Sequence, residues 1–402
     1  MYVLSANVGS TSLKFKLFDM PQETAICEAK AERIGSADQA AYTYKNCLTG
    51  AEIAKQNMGI TGFGEGIQMF LNDLLGEKGV LRNIHELSGV GYKAVLSMGY
   101  YGVHLVDDDL LEALKEADFL SPTHTMPYLN AIAQFREILP DTPMVCSFET
   151  AFHETIPQYR RIYAIPYEWT EKYGIVRRGY HGASHSYIAY EIGKRMNGTG
   201  KLISCHLGGS SSMCAVLNGK SIDVSFGFSL QNGLCHGKRI GDTDPYIIPY
   251  LQRQKIDDDE IYDQLINHSG LYGISGISDD MREVKAAAQK GNERARLALD
   301  YFIDGIVRYF GSFYAELGGL DHLVFTGGIG ENDASIRAAV VRKLSVFRLQ
   351  IDEFKNDNTR TARIISTEKS SAYIWVLPTN EELMIARAVY KTIALKSAEA
   401  KA

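Results

Sequence analysis

The chain opens on a regular alternation of apolar and polar positions. Tyr2-Val3-Leu4-Ser5-Ala6 reads as a short strand, Asn7-Val8-Gly9-Ser10-Thr11-Ser12 as a turn of small polar residues, and Lys14-Phe15-Lys16-Leu17-Phe18 as a second strand with one buried face. The same plan returns in the second half. Leu202-Ile203-Ser204-Cys205-His206-Leu207 runs into Gly208-Gly209-Ser210-Ser211-Ser212 and on into Met213-Cys214-Ala215-Val216-Leu217. Asn218-Gly219 then signals a hairpin, with Ser221-Ile222-Asp223-Val224 as the returning strand. Two strand–small loop–strand units in one chain suggest duplicated halves.

Helical spacing fills much of the remainder. Residues 107–117 begin with three Asp, which suit the positive end of a helix. Residues 127–139 carry apolar positions at helical spacing and stop at Pro140, and a further helix follows Ser184 and ends at Asn197-Gly198. Leu299, Phe302, Ile306, Phe310, Phe313 and Leu317 form one stripe, which predicts a long core helix over 293–317. Leu323-Val324-Phe325 reads as a buried strand leading into Thr326-Gly327-Gly328-Ile329-Gly330-Glu331-Asn332 and another helix. Tyr373-Ile374-Trp375-Val376-Leu377 is a last strand, and Thr379 and Glu382 beyond it have capping-box spacing. Strands and helices mixed in this way indicate α/β architecture, and 402 residues suggest two domains.

Composition excludes some functions. A net charge of −6 leaves no basic surplus for a nucleic-acid partner, although a small anion needs only a local cluster of donors. The six cysteines show no C-x-x-C pair and no Cys/His zinc spacing, a pattern of reduced thiols. No apolar run approaches the roughly 20 residues of a membrane span, and the chain starts directly on a strand rather than on a signal-peptide pattern. A soluble, cytoplasmic protein without nucleic-acid or membrane partners is expected.

Three Gly/Ser-rich turns, 7–12, 208–212 and 327–332, each follow a strand. Glycine lets the backbone approach phosphate oxygens, to which amide and hydroxyl groups donate. One such loop could be only a tight turn; three together point to a nucleotide site. It is not a Walker A site, because Gly219-Lys220-Ser221 has the ending but Cys214 stands where the first glycine is needed. Nor is Gly327-Gly328-Ile329-Gly330 a dinucleotide fingerprint.

Longer motifs are more specific. They are Asn7-Val8-Gly9-Ser10-Thr11-Ser12-Leu13-Lys14-Phe15, Glu149-Thr150-Ala151-Phe152-His153, Tyr180-His181-Gly182-Ala183-Ser184-His185 and Gly237-Lys238-Arg239-Ile240-Gly241-Asp242-Thr243-Asp244-Pro245. Further on come Ser269-Gly270-Leu271-Tyr272-Gly273-Ile274-Ser275-Gly276 with Asp279-Asp280-Met281-Arg282, then Phe325 to Asn332, then Pro378-Thr379-Asn380-Glu381-Glu382-Leu383. In this order, and over nearly the whole length, the chain resembles the acetate kinase family. The resemblance implies a duplicated actin-like ATPase (ribonuclease H-like) fold with a nucleotide and substrate cleft between two domains. These would be residues 1–148, with a C-terminal helix of about 387–402 packing back on them, and a nucleotide-binding domain of 149–386. It further implies ATP/ADP with magnesium or manganese, direct in-line transfer to a small carboxylate to give an acyl phosphate, the reverse reaction, and a homodimer.

Roles carried by the same resemblance can be set against chemistry. Arg239 resembles the arginine that holds carboxylate and transferring phosphate, a task suited to a planar bidentate donor. His181 resembles the histidine that stabilises the transition state, and His124 a second histidine of the phosphate region. Asn7 and Glu381 resemble metal-site residues, oxygen donors for a hard cation. Nucleotide contacts fall on Lys14, on His206, Leu207, Gly208, Gly209 and Ser210, on Asp280, Met281 and Arg282, and on Gly328, Ile329, Gly330, Glu331 and Asn332. Taken singly, His185 and His206 are more simply structural histidines, and Glu381 a first-turn carboxylate matching the helix dipole.

The family pattern breaks at the reaction centre. Lys93 stands in place of an arginine, Glu149 in place of an aspartate, and Gly209-Ser210 in place of a turn that carries an asparagine amide. In the acyl pocket Val95 keeps an apolar position, while Thr123 replaces a leucine, Tyr180 a phenylalanine and Leu230 a proline. The added hydroxyls suggest an acceptor more polar than acetate. A catalytically weakened protein with a nucleotide-binding or regulatory role, and a pyrophosphate-using kinase, are the alternatives. A sugar kinase of the same superfold would need an aspartate base, which an ionised carboxylate acceptor does not.

Overall fold

A computed structural model describes residues 1–9, 11–36, 38–97, 99–118, 122–357 and 363–399, with backbone alone for 122–124 and 397–399. The chain forms two compact units. One is Met1–Ala151 together with the segment that begins at Asn380; the other is Phe152–Thr379.

The first unit is built on strands β1 (Tyr2–Val8), β2 (Ser12–Asp19), β3 (Thr24–Glu32), β4 (Ala40–Asn46), β5 (Glu52–Met58), β6 (Leu87–Ala94), β7 (Val103–Leu105) and β8 (Met144–Phe148). They form one sheet in the order β5-β4-β3-β2-β1-β6-β8-β7. The alternation seen in the sequence fixes its faces: Leu13, Phe15 and Leu17 of β2 are buried, while Lys14 points outward. Phe15 stacks on Phe70 of the helix Phe63–Leu75 with 4.4 Å between ring centroids, and meets Phe135 of the helix Pro122–Ile138 edge-on. The opposite face of β6 is covered by the C-terminal helix Glu381–Glu399, and glycine makes this approach possible. A Cβ at Gly89 would come within 2.5 Å of Ile393, and one at Gly91 within 2.5 Å of Val389.

Sequence spacing suggested Thr379 as the cap of that helix. The helix instead opens at Glu381, and Asn380 Oδ1 accepts from the Leu383 N–H at 3.3 Å. Asn380 directly precedes the first helical residue, whereas Thr379 is one position too early for its hydroxyl to reach the free N–H groups.

The second unit carries β9 (Lys201–His206), β10 (Ser212–Leu217), β11 (Lys220–Val224), β12 (His322–Thr326), β13 (Arg363–Ile364) and β14 (Tyr373–Val376), in the order β11-β10-β9-β12-β14-β13. Asn218 and Gly219 both take positive φ, 50° and 81°, the conformation that the Asn-Gly pair predicted for the β10–β11 turn. The helix Glu293–Leu317 buries Phe302, Ile306, Phe310, Phe313 and Leu317 of the predicted stripe and leaves Leu299 half-buried; Asn292 caps its start and Gly318, at φ 64°, ends it.

The duplication lies in the sheets. β1 runs antiparallel to β2 and parallel to β6, and β6 runs parallel to β8; likewise β9 runs antiparallel to β10 and parallel to β12, and β12 runs parallel to β14. The core orders β3-β2-β1-β6-β8 and β11-β10-β9-β12-β14 are therefore the same topology twice, the duplicated ribonuclease H-like plan of an α/β protein. In such sheets ligands bind beyond the carboxyl ends of the parallel strands. Those ends are Val8, Ala94 and Phe148 in the first unit, and His206, Thr326 and Val376 in the second.

Candidate active site

In the second unit the chain leaves β9 at His206 and turns through Leu207–Ser211 before entering β10 at Ser212. The Leu207 carbonyl accepts from the N–H groups of Ile329 and Gly330 at 2.8 and 3.1 Å, which ties this turn to the one after β12. A Cβ at Gly209 or at Gly328 would meet nothing within 4 Å, so both turns present open backbone. They border a cavity of about 580 Å³ whose other walls are Asp279, Asp280, Met281, Arg282, Ile329, Asn332 and Asp333. Of the expected nucleotide residues of this unit, Gly208, Gly209, Asp280, Met281, Arg282, Gly328, Ile329 and Asn332 line this cavity, whereas His206, Leu207, Ser210, Gly330 and Glu331 do not. Glu331 and Asn332, however, turn back on their own loop: Glu331 Oε1 accepts from the Gly327 N–H at 3.0 Å, and Asn332 Nδ2 donates to the Gly328 carbonyl at 2.8 Å. Asp280 caps the helix Met281–Gln289 and pairs with Arg282, whose hydrogen bonds hold its carboxyl at about 2.

Two side chains grip the same turn from the other side. The Arg239 guanidinium donates to Ser210 Oγ, and His181 Nδ1 lies 2.8 Å from Ser212 Oγ, two residues further on. Burial holds Arg239 down at about 10, so it stays charged at neutral pH. His181 occupies the left-handed region at φ 58° and ψ 28°, directly before the helix Gly182–Met196. For a residue with a Cβ that conformation costs roughly 1–2 kcal/mol, and it aims the ring at the turn rather than along the helix. The His206 ring lies beside that of His181, tilted by 34° with centroids 4.1 Å apart, its Nδ1 2.8 Å from Ser184 Oγ.

Behind these stand His236 and Arg337, which sequence reasoning passed over, and His185, which it read as structural. His236 Nδ1 accepts from the Ser211 N–H at 3.1 Å, and desolvation, with Arg239 beside it, drives its pKa down to about 3. His185 lies between Ser204 Oγ and Ser212 Oγ at 2.9 and 2.8 Å, held neutral first by burial. Arg337 is buried and donates to the carbonyls of Gly330 and Glu331, clamping the turn after β12 from beneath. A histidine or arginine surrounded by serines and carbonyls leaves no periodicity to read; only its nearness to a motif, as with His236 before Arg239, could have signalled it.

The first unit gathers charge at the same strand ends. Lys93 Nζ lies 3.1 Å from Glu381 Oε2 and 3.4 Å from Glu149 Oε1. Burial works against its charge, but the carboxylates of Glu381 and Glu149 outweigh it and hold the Lys93 pKa above the ordinary lysine value. Asn7 follows Ala6, which pairs with Tyr92, so Asn7 and Lys93 leave neighbouring strands side by side. Val95 is buried just beyond β6. Lys14 stands on the outward face of β2, in a groove with Lys16, Lys30, Lys45 and Glu382; unlike the other expected nucleotide residues, it belongs to the first unit. In the second unit Leu230 is half-buried, and the hydroxyl of Tyr180 donates to the Phe228 carbonyl at 2.8 Å. The side chains of Thr123 and His124 lie outside the described residues.

Comparison with known proteins decides the family. The acetokinase family model matches residues 2–387. The chain belongs to the acetokinase family. It is accordingly an ATP-binding phosphotransferase of the acetate and propionate kinase type, with a carboxyl group as acceptor. Acetate kinase of Acetivibrio thermocellus is 40% identical over 98% of this chain and 99% of its own length, and propionate kinase of Citrobacter rodentium is 40% identical over 97% and 96%. The crystal structure of a propionate kinase from Francisella tularensis superposes with a TM-score of 0.86 at 35% identity, covering 97% of this acetokinase and 99% of that chain. No described helix of this family member is long and apolar enough to cross a membrane.

Proposed function

We propose that the chain transfers the γ-phosphoryl group of ATP in line to a short carboxylate, and returns it from the acyl phosphate to ADP. One observation carries this: a guanidinium holds Ser210 of the glycine turn that borders the nucleotide-sized cavity, and an imidazole holds Ser212 where that turn enters β10. Phosphoryl transfer between two anions asks the protein for little covalent chemistry and much fixed positive charge and hydrogen bonding. Arg239 supplies the charge, suited to the moving phosphoryl group and the carboxylate together. His181 supplies a directed N–H, and the open backbone of Gly209 and Gly328 takes the phosphates of the donor. In the first unit Lys93, with Glu149 to orient it, offers a positive charge of its own.

The donor set of the first unit fits magnesium. Asn7, Glu381 and Glu149 offer oxygen atoms, and because Lys93 offsets one carboxylate charge the set suits a hydrated ion. Asn7 and Glu381 would hold it, largely through water; when bound it neutralises phosphate charge.

For the acceptor we propose an unsubstituted short-chain carboxylate. The Tyr180 hydroxyl donates to a backbone carbonyl, so this added group is not a spare donor for a polar acyl chain. A more polar acceptor then depends on Thr123. A cytoplasmic location suits the six free cysteines. The exposed Tyr246, Tyr250 and Tyr262 supply aromatic surface of the kind a homodimer covers.

The test is hydroxylamine trapping with magnesium and ATP over a panel of small carboxylates. Acyl hydroxamate from acetate or propionate supports the proposal. Nucleotide binding with no hydroxamate from any carboxylate overturns it in favour of a binding role, and hydroxamate with pyrophosphate but not ATP moves the donor assignment.

A further inference from the structure

His181 does not stand alone on Ser212. Its Nδ1 lies 2.8 Å from Ser212 Oγ, the same oxygen lies 2.8 Å from His185 Nε2, and His185 Nδ1 lies 2.9 Å from Ser204 Oγ. Four side chains thus form one line, of which Ser204, His185 and Ser212 are fully buried. A serine hydroxyl has one hydrogen and two lone pairs, so Ser212 donates to at most one imidazole and accepts from any other. Neutral His185 likewise has one N–H, which faces either Ser212 or Ser204.

Three hydrogen arrangements satisfy every link: in one Ser212 accepts from both imidazoles and its own buried hydrogen is left over, and the other two run in opposite directions. In the first of those two, His181 Nδ1–H donates to Ser212, Ser212 donates to His185, and His185 Nδ1–H donates to Ser204. The Ser204 hydroxyl hydrogen is then left over, and among the described residues that buried hydroxyl has no other partner. In the other, Ser204 O–H donates to His185 Nδ1, His185 Nε2–H to Ser212, and Ser212 O–H to His181 Nδ1. Every buried hydrogen is used, and only oxygen lone pairs stay idle, which is the lesser cost.

We propose that Ser204, His185 and Ser212 act as positioning residues that fix His181 in the Nε2–H tautomer, so that the ring presents a hydrogen and not a lone pair to a phosphoryl oxygen. The last part rests on the phosphoryl-transfer function proposed above; the tautomer itself does not. The left-handed backbone of His181 and the His206 ring beside it leave the imidazole held on the Ser212 side. No proton need be transferred: the line is a set of donors pointing one way, ending at Nε2.

Nitrogen-15 NMR of the full-length protein labelled at histidine tests this directly at neutral pH. The expected spectrum has His181 with a protonated Nε2 and a hydrogen-bond-accepting Nδ1. Ser212→Ala should replace it by mixed tautomers and lower kcat by on the order of tenfold to a hundredfold, with KM for ATP little changed. Ser212→Thr, which keeps the hydroxyl, should restore both, and Ser204→Ala should weaken the preference from the far end. A wild-type His181 carrying its proton on Nδ1, or an unaltered His181 spectrum in Ser212→Ala, overturns the proposal. Full kcat in His181→Ala would instead overturn the catalytic use of the ring, a separate failure that leaves the spectrum to decide the tautomer.

Discussion

The two units carry the same five-strand core order and treat the ends of its parallel strands in opposite ways. Beyond β1, β6 and β8 stand full charges, with the Lys93 ammonium between the Glu149 and Glu381 carboxylates. Beyond β9, β12 and β14 stand glycines, serines and neutral imidazoles, with Arg239 as the charge that reaches the turn. The topology fixes where chemistry gathers, and the residue types decide its kind. A charged trio answers changes in charge, whereas a turn of open backbone and buried neutral rings offers hydrogen bonds whose directions are set in advance. Duplication followed by this division lets one fold supply both.

The most severe way to break that contrast is to remove the charge from the second unit. Arg239→Ala is expected to lower kcat by about 10²–10³, the usual cost of losing one donor aimed at developing charge. Arg239→Lys should recover only part of it, because the ammonium cannot engage Ser210 and an anion in one plane. Steady-state kinetics in the acyl-phosphate-forming direction would show this, and a loss no larger than that of an exposed lysine would dissolve the distinction between the units.

Acid should divide them next. Burial lowers His153 to about 4, although its Nε2–H bond to the Tyr180 carbonyl works the other way. Between its unfolded value near 6.5 and about 4 the unfolded chain binds a proton that the folded chain does not, so stability falls as pH falls through that window, by roughly 3 kcal/mol in full. The Lys93 pKa is raised, so its contribution is complete below the ordinary lysine value and fades only as pH rises beyond it. Melting curves from pH 7 to 4.5 should therefore fall steeply, and His153→Gln, which keeps a donor and an acceptor, should flatten the slope without altering the alkaline side.

The charged trio can be sharpened by a double-mutant cycle. Lys93 and Glu149 stand where the family pattern has an arginine and an aspartate, a slimmer cation beside a longer anion at 3.4 Å. Lys93→Arg and Glu149→Asp should each lower kcat/KM, and the double change should recover much of the loss, a coupling of about 1–2 kcal/mol. Additive effects would mean that the two substitutions are unrelated.

How much of this was legible beforehand differs in the same way between the regions. Strand β2, the Asn218-Gly219 turn and the long helix Glu293–Leu317 follow from periodicity and turn chemistry, which are local. The glycine turns were visible as composition, and the family motifs singled out Arg239 and His181. The line from Ser204 to His181 was not visible, because it joins residues on two strands and one helix through serines that look ordinary in sequence. Nor could spacing show that the Tyr180 hydroxyl would find the Phe228 carbonyl, which bears on the acceptor proposed above.

The smallest effect concerns the start of the C-terminal helix. Thr379 had the spacing of a cap, yet Asn380 holds the Leu383 N–H, while Thr379 Oγ1 is buried with no partner among the described residues. Asn380→Ala is expected to cost about 1 kcal/mol, a fall of roughly 2–4 °C in the melting temperature, whereas Thr379→Ala should be close to neutral. The helix begins at Glu381, whose carboxylate holds Lys93, and it lies on Gly89 and Gly91 of β6. A frayed first turn should therefore also raise the magnesium concentration needed for half-maximal activity, if Glu381 serves that ion. Equal melting losses in the two alanine variants would return the cap to Thr379, and a lowered melting temperature with unchanged magnesium dependence would separate the helix start from the charged trio.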